Sequence, residues 1–208
     1  MKNLKKIGII HYNSGNIGSL IKTIKKFNQN VLIVKSVKDF DMCDKIILPG
    51  VGSFDIPINF LKKKKLLFKQ RNFFLNGGDT LGICLGMQIL YKSSEESKDS
   101  NGIGIIKRKI KKLVRDKNLS IPHVGWNKLI IFKNSKNGLI NIIKNDRFYF
   151  SHSFGDKVFK KDNSVYYKYG KHYYNSIVIY KNFIGLQFHP ELSGIQGLKI
   201  FNFFLNRK

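Results

Sequence analysis

The chain has 208 residues, of which 42% are hydrophobic and 25% are charged. This length suits one domain, and the composition is typical of a globular protein rather than a disordered one. We therefore predict a single domain over residues 1–208. No run approaches the roughly 20 apolar residues of a membrane span, and the apolar stretch after the first lysines is too short for a signal peptide. No membrane association is predicted.

Lysine and arginine outnumber aspartate and glutamate by 38 to 13, which gives a formal net charge of +25. A nucleic-acid-binding protein would carry such an excess. The lysines, however, are spread along the whole chain among many Asn, Ile, Phe and Tyr residues, whose codons are A/T-rich. Genome composition explains this pattern better, so no nucleic-acid partner is predicted. Cys43 and Cys84 define no disulfide framework and predict a cytoplasmic location.

Short apolar runs alternate with helical patterns in the first half of the chain. Strands are predicted at 7–10, 31–34, 45–48 and 80–83, and helices at about 20–27, 60–75 and 85–91. Further strands are predicted at 102–106, 129–132, 147–150, 165–169, 176–180 and 185–188, before a closing helix at 196–205. The predicted class is α/β, with a mostly parallel sheet flanked by helices and antiparallel hairpins added to it in the C-terminal half.

The segment Gly82-Ile83-Cys84-Leu85-Gly86 lies between a predicted strand and a predicted helix. This G-x-C-x-G spacing is that of a nucleophile elbow with sulfur in place of a hydroxyl. The sharp turn strains the nucleophile, and glycine at both flanks avoids a collision with neighbouring backbone. The N–H groups at the start of the helix favour a thiolate. A buried structural cysteine between two incidental glycines is the alternative.

A second motif, Gln187-Phe188-His189-Pro190-Glu191, ends a predicted strand. A cysteine nucleophile needs a base, and the base needs an acceptor that fixes its tautomer. His189 and Glu191 suit these two roles. Neighbouring parallel strands end at one sheet edge, so their distance from Cys84 in the chain is no obstacle. Taken alone, His189 would sooner be interpreted as a structural histidine.

A third motif, Pro49-Gly50-Val51-Gly52, follows the third predicted strand. Glycines in such a turn let backbone N–H groups face an anion. Together with the N–H of Leu85, this segment predicts an oxyanion hole for a tetrahedral intermediate. An ordinary tight turn is the alternative.

In this order and at these spacings, the three motifs resemble those of the class I, triad-type glutamine amidotransferases. The resemblance extends over residues 7–205 and is closest to the glutaminase subunits of imidazole glycerol phosphate synthases. The segments that carry it are 49–54, 81–88, 94–96, 122–127, 149–153 and 187–191. The Pro-His-x-Gly-Trp-Asn segment at 122–127 is the most specific to this subfamily, whereas the cysteine elbow marks only the wider class.

The resemblance implies that Cys84 attacks the carboxamide of glutamine, that His189 protonates the departing ammonia and later activates water, and that Glu191 orients His189. Val51 and Leu85 would supply the oxyanion N–H groups. The glutamine would be held by Gly52, Gln88, Glu96, His152 and Ser153. The resemblance implies no metal and no cofactor.

In this subfamily, ammonia passes through a tunnel to a partner cyclase, a (β/α)₈ barrel that forms imidazole glycerol phosphate in histidine biosynthesis. The resemblance therefore implies a heterodimer, with Asn13, Asn16 and Trp126 at the interface. A core position is an equal alternative for Trp126. Residues 11–16 read His-Tyr-Asn-Ser-Gly-Asn where the family has Asp-Tyr-Gly-x-Gly-Asn, which puts the usual interface in question.

Two rival functions remain open. Variants of the subfamily supply ammonia to a synthetase that aminates cell-surface sugars, and the altered first loop is compatible with such a partner. The second rival is a catalytically silent binding protein that has kept the fold, since a fold alone never proves activity. The intact set of Cys84, His189 and Glu191 argues against it.

Overall fold

The computed structural model describes residues 5–13, 17–27, 29–50, 52–117, 119–131, 138–143, 146–158 and 165–207. The strands are β1 (Lys6–Ile10), β2 (Asn30–Val34), β3 (Lys45–Leu48), β4 (Asp79–Ile83), β5 (Tyr91–Ser94), β6 (Ile106–Lys112), β7 (His123–Ile131), β8 (Arg147–His152), β9 (Phe154–Gly155), β10 (Val165–Tyr169), β11 (His172–Asn175), β12 (Ile177–Tyr180) and β13 (Phe183–Leu186). The helices are α1 (Gly18–Lys25), α2 (Val37–Asp41), α3 (Asp55–Lys63), α4 (Leu66–Leu75), α5 (Leu85–Gln88), α6 (Gly138–Ile142) and α7 (Gly194–Asn206), with a short 3-10 helix at Pro190–Leu192. None of the helices in these ranges is long and apolar enough to cross a membrane.

A six-stranded sheet in the order β12-β13-β4-β3-β1-β2 forms the centre. All its pairs are parallel except β12 with β13. A four-stranded antiparallel sheet, β11-β10-β7-β8, and a three-stranded sheet, β5-β6-β9, accompany it. The predicted α/β class is confirmed. Of the later strands, only β12 and β13 extend the main sheet, and the others pair among themselves in the two smaller sheets. The four-stranded sheet packs its apolar side chains onto a core that it shares with the central sheet.

Two apolar cores lie on opposite faces of the central sheet. Along β3, Ile47 belongs to one core, whereas Ile46 and Leu48 belong to the other, as the alternation of side chains along a strand requires. Burial on both faces explains why these strands read as continuous apolar runs. The core of Ile47 also contains Phe150 of β8 and Tyr167 of β10, so the four-stranded sheet and the central sheet share it.

The predicted helix at 60–75 is wrong in its length, because the structure divides it between α3 and α4. Lys65 has φ 57°, in the left-handed region, and turns the chain between them. The run of lysines at 62–65 is exposed, so the chain turns where no apolar contact holds it to the core. The predicted helix at 85–91 ends at Gln88, because Tyr91 begins β5 and buries its ring completely.

A buried lysine fastens the C-terminal helix to the sheet. Lys45, at the start of β3, is 1% exposed, and its Nζ lies 2.5 Å from Oδ2 of Asp79 at the start of β4. The same ammonium donates to the carbonyls of Phe204 at 3.0 Å and Arg207 at 2.8 Å. These contacts satisfy a charge that would otherwise be costly to bury. They lie at the N-terminal ends of the strands, which leaves the C-terminal edge free to form a site.

Candidate active site

Cys84 lies at the C-terminal edge of the central sheet, between β4 and α5. Its φ of 46° and ψ of −104° are strained for a residue with a side chain. A Cβ on Gly82 would lie 2.5 Å from the carbonyl oxygen of Gly86, and one on Gly86 would lie 1.9 Å from the carbonyl oxygen of Leu48. Both flanks of the elbow therefore require glycine, for the steric reason expected from the sequence. The helix after it has only four residues, so its dipole contributes little.

His189 and Glu191 meet Cys84 at this edge. His189 immediately precedes the 3-10 helix, which carries Glu191. Nδ1 of His189 lies 2.8 Å from Oε1 of Glu191, and the imidazole lies in the same cavity lining as Cys84, close enough for the two side chains to interact. Cys84 and His189 are 5% and 6% exposed. The structure thus brings the sulfur, the imidazole and the carboxylate into one chain of contacts.

The two partners of His189 decide its protonation state. Burial alone would lower the pKa of this imidazole, but the charge and hydrogen bond of Cys84, followed by those of Glu191, raise it to about 11. The imidazole therefore keeps its proton at neutral pH. That is the state in which a general acid can protonate a leaving group.

The backbone of His189 is held by hydrogen bonds from β8 and α7. Its N–H donates to the carbonyl of Tyr149 at 2.8 Å. The Ser193 hydroxyl donates to the carbonyl of His189 at 2.6 Å and accepts from the N–H of Tyr149 at 3.0 Å. Sequence reasoning missed Ser193 and Tyr149, because a contact between residues 44 apart leaves no spacing signal.

A cavity of about 460 Å³ lies over Cys84. The predicted oxyanion residue Leu85 lines it, and all five residues predicted to hold glutamine do so as well. Val51, the second predicted oxyanion residue, lies outside the described residues. The full lining consists of Gly50, Gly52, Cys84, Leu85, Gln88, Glu96, Pro122, Tyr149, Ser151, His152, Ser153, Phe154, His189 and Leu192.

The surroundings of Glu96 and His152, two residues of this lining, shift their pKa values. Burial raises the pKa of the Glu96 carboxyl, although its Oε2 accepts from the N–H of Phe54 at 3.0 Å. Nδ1 of His152 lies 2.8 Å from the carbonyl of Phe154, so Nδ1 carries the proton of a neutral ring. Burial lowers the pKa of His152 to about 3. The cavity therefore offers one anchored carboxyl and one neutral imidazole.

Gln187 is a further polar side chain at the sulfur, and sequence reasoning gave it no role. It is fully buried, and its Nε2 lies 3.6 Å from Sγ of Cys84. Sγ also lies 3.8 Å from the carbonyl of Ser151. A glutamine at the end of an apolar strand beside a candidate base is a signal that the sequence did contain.

The chain is similar to proteins of a known family. A sequence model of the family described as Glutamine amidotransferase class-I matches residues 9–207. The chain belongs to the class I glutamine amidotransferases. Two solved members of this fold superpose with a TM-score of 0.73 each: "Structure of PurLQS from Thermotoga maritima", 22% identical over 98% of both chains, and "Crystal structure of glutamine amidotransferase", 15% identical over 96% of both chains. At these identities they support the fold alone.

Curated relatives narrow the family within the class I glutamine amidotransferases. The chain is 38% identical to "Imidazole glycerol phosphate synthase subunit HisH" of Prochlorococcus marinus (strain NATL2A), over 98% of this chain and 97% of that protein. It is 37% identical to the protein of the same name from Lactococcus lactis subsp. lactis (strain IL1403), over 97% of this chain and 98% of that protein. The chain is thus a member of the HisH family.

Two of the residues predicted at the partner interface of this amidotransferase, Asn13 and Trp126, lie outside the cavity lining. Trp126 on β7 is 51% exposed, so its alternative as a core residue is wrong. Its ring centroid lies 6.2 Å from that of Tyr149, which lines the cavity. Asn13 is exposed with φ 59°, and Asn16 lies outside the described residues. Within the described part of the chain, no group of three His, Cys, Asp or Glu side chains is arranged to hold a metal ion.

Proposed function

We propose that this protein is the glutaminase subunit of imidazole glycerol phosphate synthase, which hydrolyses glutamine at Cys84 and supplies ammonia to a partner cyclase in histidine biosynthesis. The observation that carries the proposal is the contact chain from Cys84 through His189 to Glu191 at the edge of the sheet. Its presence in a chain 38% identical to a HisH protein over nearly its full length supports this particular pathway.

The hydrolysis has two halves. In the first, the Cys84 sulfur attacks the carboxamide carbon of glutamine, and the carbon–nitrogen bond breaks as His189 gives its proton to the leaving nitrogen. Ammonia and a γ-glutamyl thioester result. In the second, His189 takes a proton from water, the hydroxide attacks the thioester, and the carbon–sulfur bond breaks to release glutamate and the thiolate. Glu191 holds the imidazole in the required orientation throughout.

The substrate is held by the residues that the sequence predicted for this task. Glu96 has one oxygen fixed by the N–H of Phe54, which leaves the other for the ammonium of glutamine. Gln88 and Gly52 lie on the same cavity wall, and Gly52 has φ 100°, which only glycine adopts readily. The further predicted contacts are His152 and Ser153 for the glutamine and the N–H groups of Val51 and Leu85 for the oxyanion.

An apolar surface beside the cavity supports a protein partner. Trp126 and Val124 are about half exposed on β7, and their paired residues on β8, Tyr149 and Ser151, line the cavity. Leu192, also half exposed, completes this surface. Exposed apolar groups at the mouth of a site are typical of an interaction surface. A cyclase with a (β/α)₈ barrel, docked here, would keep ammonia from being protonated in bulk water, and Asn13 and Asn16 remain candidates at its rim.

The organisation of the chain fits this role. We treat residues 1–208 as one domain, because the central sheet takes strands from Lys6–Ile10 through Phe183–Leu186 and shares its core with the four-stranded sheet. The two cysteines are both free, in keeping with the reducing cytosol.

The partner is tested by measuring glutamate release with purified candidates. The histidine-pathway cyclase is expected to raise turnover, and a synthetase that aminates cell-surface sugars is not. Trp126→Ala should weaken cyclase binding by about thirtyfold, since exposed tryptophans at interfaces are frequent hot spots. Phe68→Ala, at an exposed apolar residue on α4, should leave binding unchanged. Stimulation by the sugar synthetase alone, or by neither protein, would contradict the proposal.

A further inference from the structure

We propose that Gln187 acts directly on the nucleophile, donating a hydrogen bond from its carboxamide nitrogen to the Cys84 sulfur, and that Gln88 fixes the carboxamide in this orientation. The inference rests on the proposed function, since it adds a residue to the same site. It assigns Gln187 the stabilisation of the thiolate and gives Gln88 a positioning role in addition to its contact with substrate.

Two polar groups lie beside the Cys84 sulfur, the Gln187 carboxamide and the Ser151 carbonyl. Nε2 of Gln187 lies 3.6 Å from Sγ, within hydrogen-bonding distance for a sulfur acceptor, and the side chain is fully buried. The carbonyl of Ser151, 3.8 Å from Sγ on another side, can accept only from a protonated thiol. An N–H donor favours the thiolate instead. In a dry site, a hydrogen bond to an ionised group is among the stronger ones.

Hydrogen bonds fix the orientation of the Gln88 and Gln187 carboxamides. The carbonyl of Phe154 can only accept, and it receives Nε2 of Gln88 at 2.8 Å. The same Nε2 lies 3.1 Å from Oε1 of Gln187. Because the oxygen of Gln187 is thereby engaged, its NH₂ group faces the sulfur. A flip of either amide would oppose two oxygens, or two NH₂ groups, at one of these contacts.

The hydrogen-bonded pair of Gln88 and Gln187, which we call the relay, is held in place at both ends. The backbone N–H of Gln187 donates to the carbonyl of Ser176 at 2.8 Å, which fixes the strand end that carries it. At the other end, Nδ1 of His152 donates to the same Phe154 carbonyl at 2.8 Å. Both hydrogens of the Gln88 amide are used within the relay, so Gln88 offers glutamine only its oxygen.

The test measures the alkylation of Cys84 by iodoacetamide from pH 5 to pH 10, followed by mass spectrometry of the Cys84 peptide. Gln187→Leu should move the pH of half-maximal rate upward by about one unit, which lowers the alkylation rate by about tenfold at pH values well below both midpoints. Gln70→Leu is the matched control. Gln70 is another glutamine, 1% exposed, which donates to Oγ1 of Thr80 near the start of β4, whereas Cys84 follows the end of that strand. Its loss should leave the profile unchanged.

Among the described residues, Cys84 interacts electrostatically with the titratable side chains of His189 and Tyr167. Burial raises the pKa of Tyr167, so its hydroxyl stays protonated over the measured range. Burial also raises the pKa of the Cys43 thiol to about 11, which makes it a slow internal reference in the same digest.

Two further variants keep the proposal falsifiable. Gln88→Leu should shift the profile in the same direction, and because the assay contains no glutamine, this effect cannot come from lost substrate contact. If Gln187→Leu fails to fold, Gln187→Met is used, since its uncharged, unbranched side chain cannot donate a hydrogen bond and the same upward shift is expected. An unchanged profile in a folded Gln187 variant overturns the proposal, and an unchanged profile in Gln88→Leu overturns the relay.

The test also separates this inference from the proposed function. Alkylation needs neither glutamine nor a partner protein. A shifted profile in a protein that releases no glutamate with any partner would support the contact of Gln187 with Cys84 and overturn the glutaminase assignment. An unshifted profile in an active glutaminase would overturn only the role of Gln187.

Discussion

Three histidines lie in or next to the site, and their surroundings give them different protonation states. The pKa of His189 is raised to about 11 by Cys84 and Glu191, against the effect of its burial. Burial lowers the pKa of His123 to about 4 and that of His152 to about 3. His123 packs between aromatic rings, with the Tyr169 ring centroid 4.2 Å away. At neutral pH, His189 is therefore a positively charged imidazolium, whereas His123 and His152 are neutral.

The two neutral histidines predict a loss of stability in acid. The unfolded chain takes up their protons below about pH 6.5, whereas the folded chain does so only near pH 3–4. The stability that depends on them is therefore fully present above pH 6.5 and is lost as the pH falls. At pH 5, each group lowers the free energy of unfolding by about 2 kcal/mol. His123→Phe removes one of these contributions and should lose about 2 kcal/mol less than the wild type between pH 8 and pH 5.

Urea unfolding at the two pH values checks this prediction. Phe68→Ala, at an exposed residue of α4 that does not titrate, serves as the control and should retain the wild-type loss. An equal loss in His123→Phe and the wild type would show that the buried ring of His123 does not titrate as its surroundings indicate.

Contiguous motifs in the sequence predicted the catalytic residues, whereas contacts between distant strands could not be predicted from it. Cys84, His189 and Glu191 stand in two short motifs, each directly after a strand, and the ends of parallel strands meet. The glutamine-binding set came from resemblance to a family, and all its members line one cavity. Ser193 contacts Tyr149, which is 44 residues away in the chain, so no spacing pattern marks this contact. Gln187 stood within the His189 motif, but only the structure shows that its side chain lies beside Cys84.

Among the elements, the elbow between β4 and α5 depends most on single residues. Gly86→Ala would place a methyl group 1.9 Å from the carbonyl oxygen of Leu48 and 2.6 Å from its carbonyl carbon, and a change of side-chain rotamer cannot move these backbone atoms aside. We expect a loss of about 3 kcal/mol or more in the free energy of unfolding. Gly138→Ala, at the exposed start of α6, would bring its methyl group 3.3 Å from the edge of the Phe203 ring, the one contact it would make within 4 Å among the described residues, and should change stability by less than about 1 kcal/mol. Thermal unfolding of both variants decides it, and equal midpoints would contradict the steric account.

The sequence was a better guide to the strands of the parallel sheet than to helix ends, whereas the strand predicted at 102–106 is wrong because β6 spans Ile106–Lys112 instead. The strands of the parallel sheet appear as apolar runs because both faces are buried, and the predicted 45–48 coincides with β3. Helix ends depend on contacts that no local pattern contains. The break between α3 and α4 comes from the left-handed Lys65, and α5 ends early because the buried Tyr91 begins another sheet.

For the whole molecule, the α/β class followed from the alternation of elements, but the division into three sheets did not. β7 pairs with β8 on one side and with β10 on the other, and such pairings between distant segments leave no local signal. The consequence for function is that β8 lies beside the C-terminal edge of the central sheet. From there Ser151, His152 and Ser153 complete the cavity over Cys84.

The proposed function requires that glutamine is hydrolysed at Cys84, and the variant Cys84→Ala in complex with the cyclase tests this requirement most directly. Glutamine-dependent and ammonia-dependent formation of the cyclase product are measured on the same preparation. We predict that the glutamine-dependent rate falls by at least about 10³-fold, whereas the ammonia-dependent rate stays close to that of the wild type. A variant that still uses glutamine at a rate near that of the wild type would contradict the account.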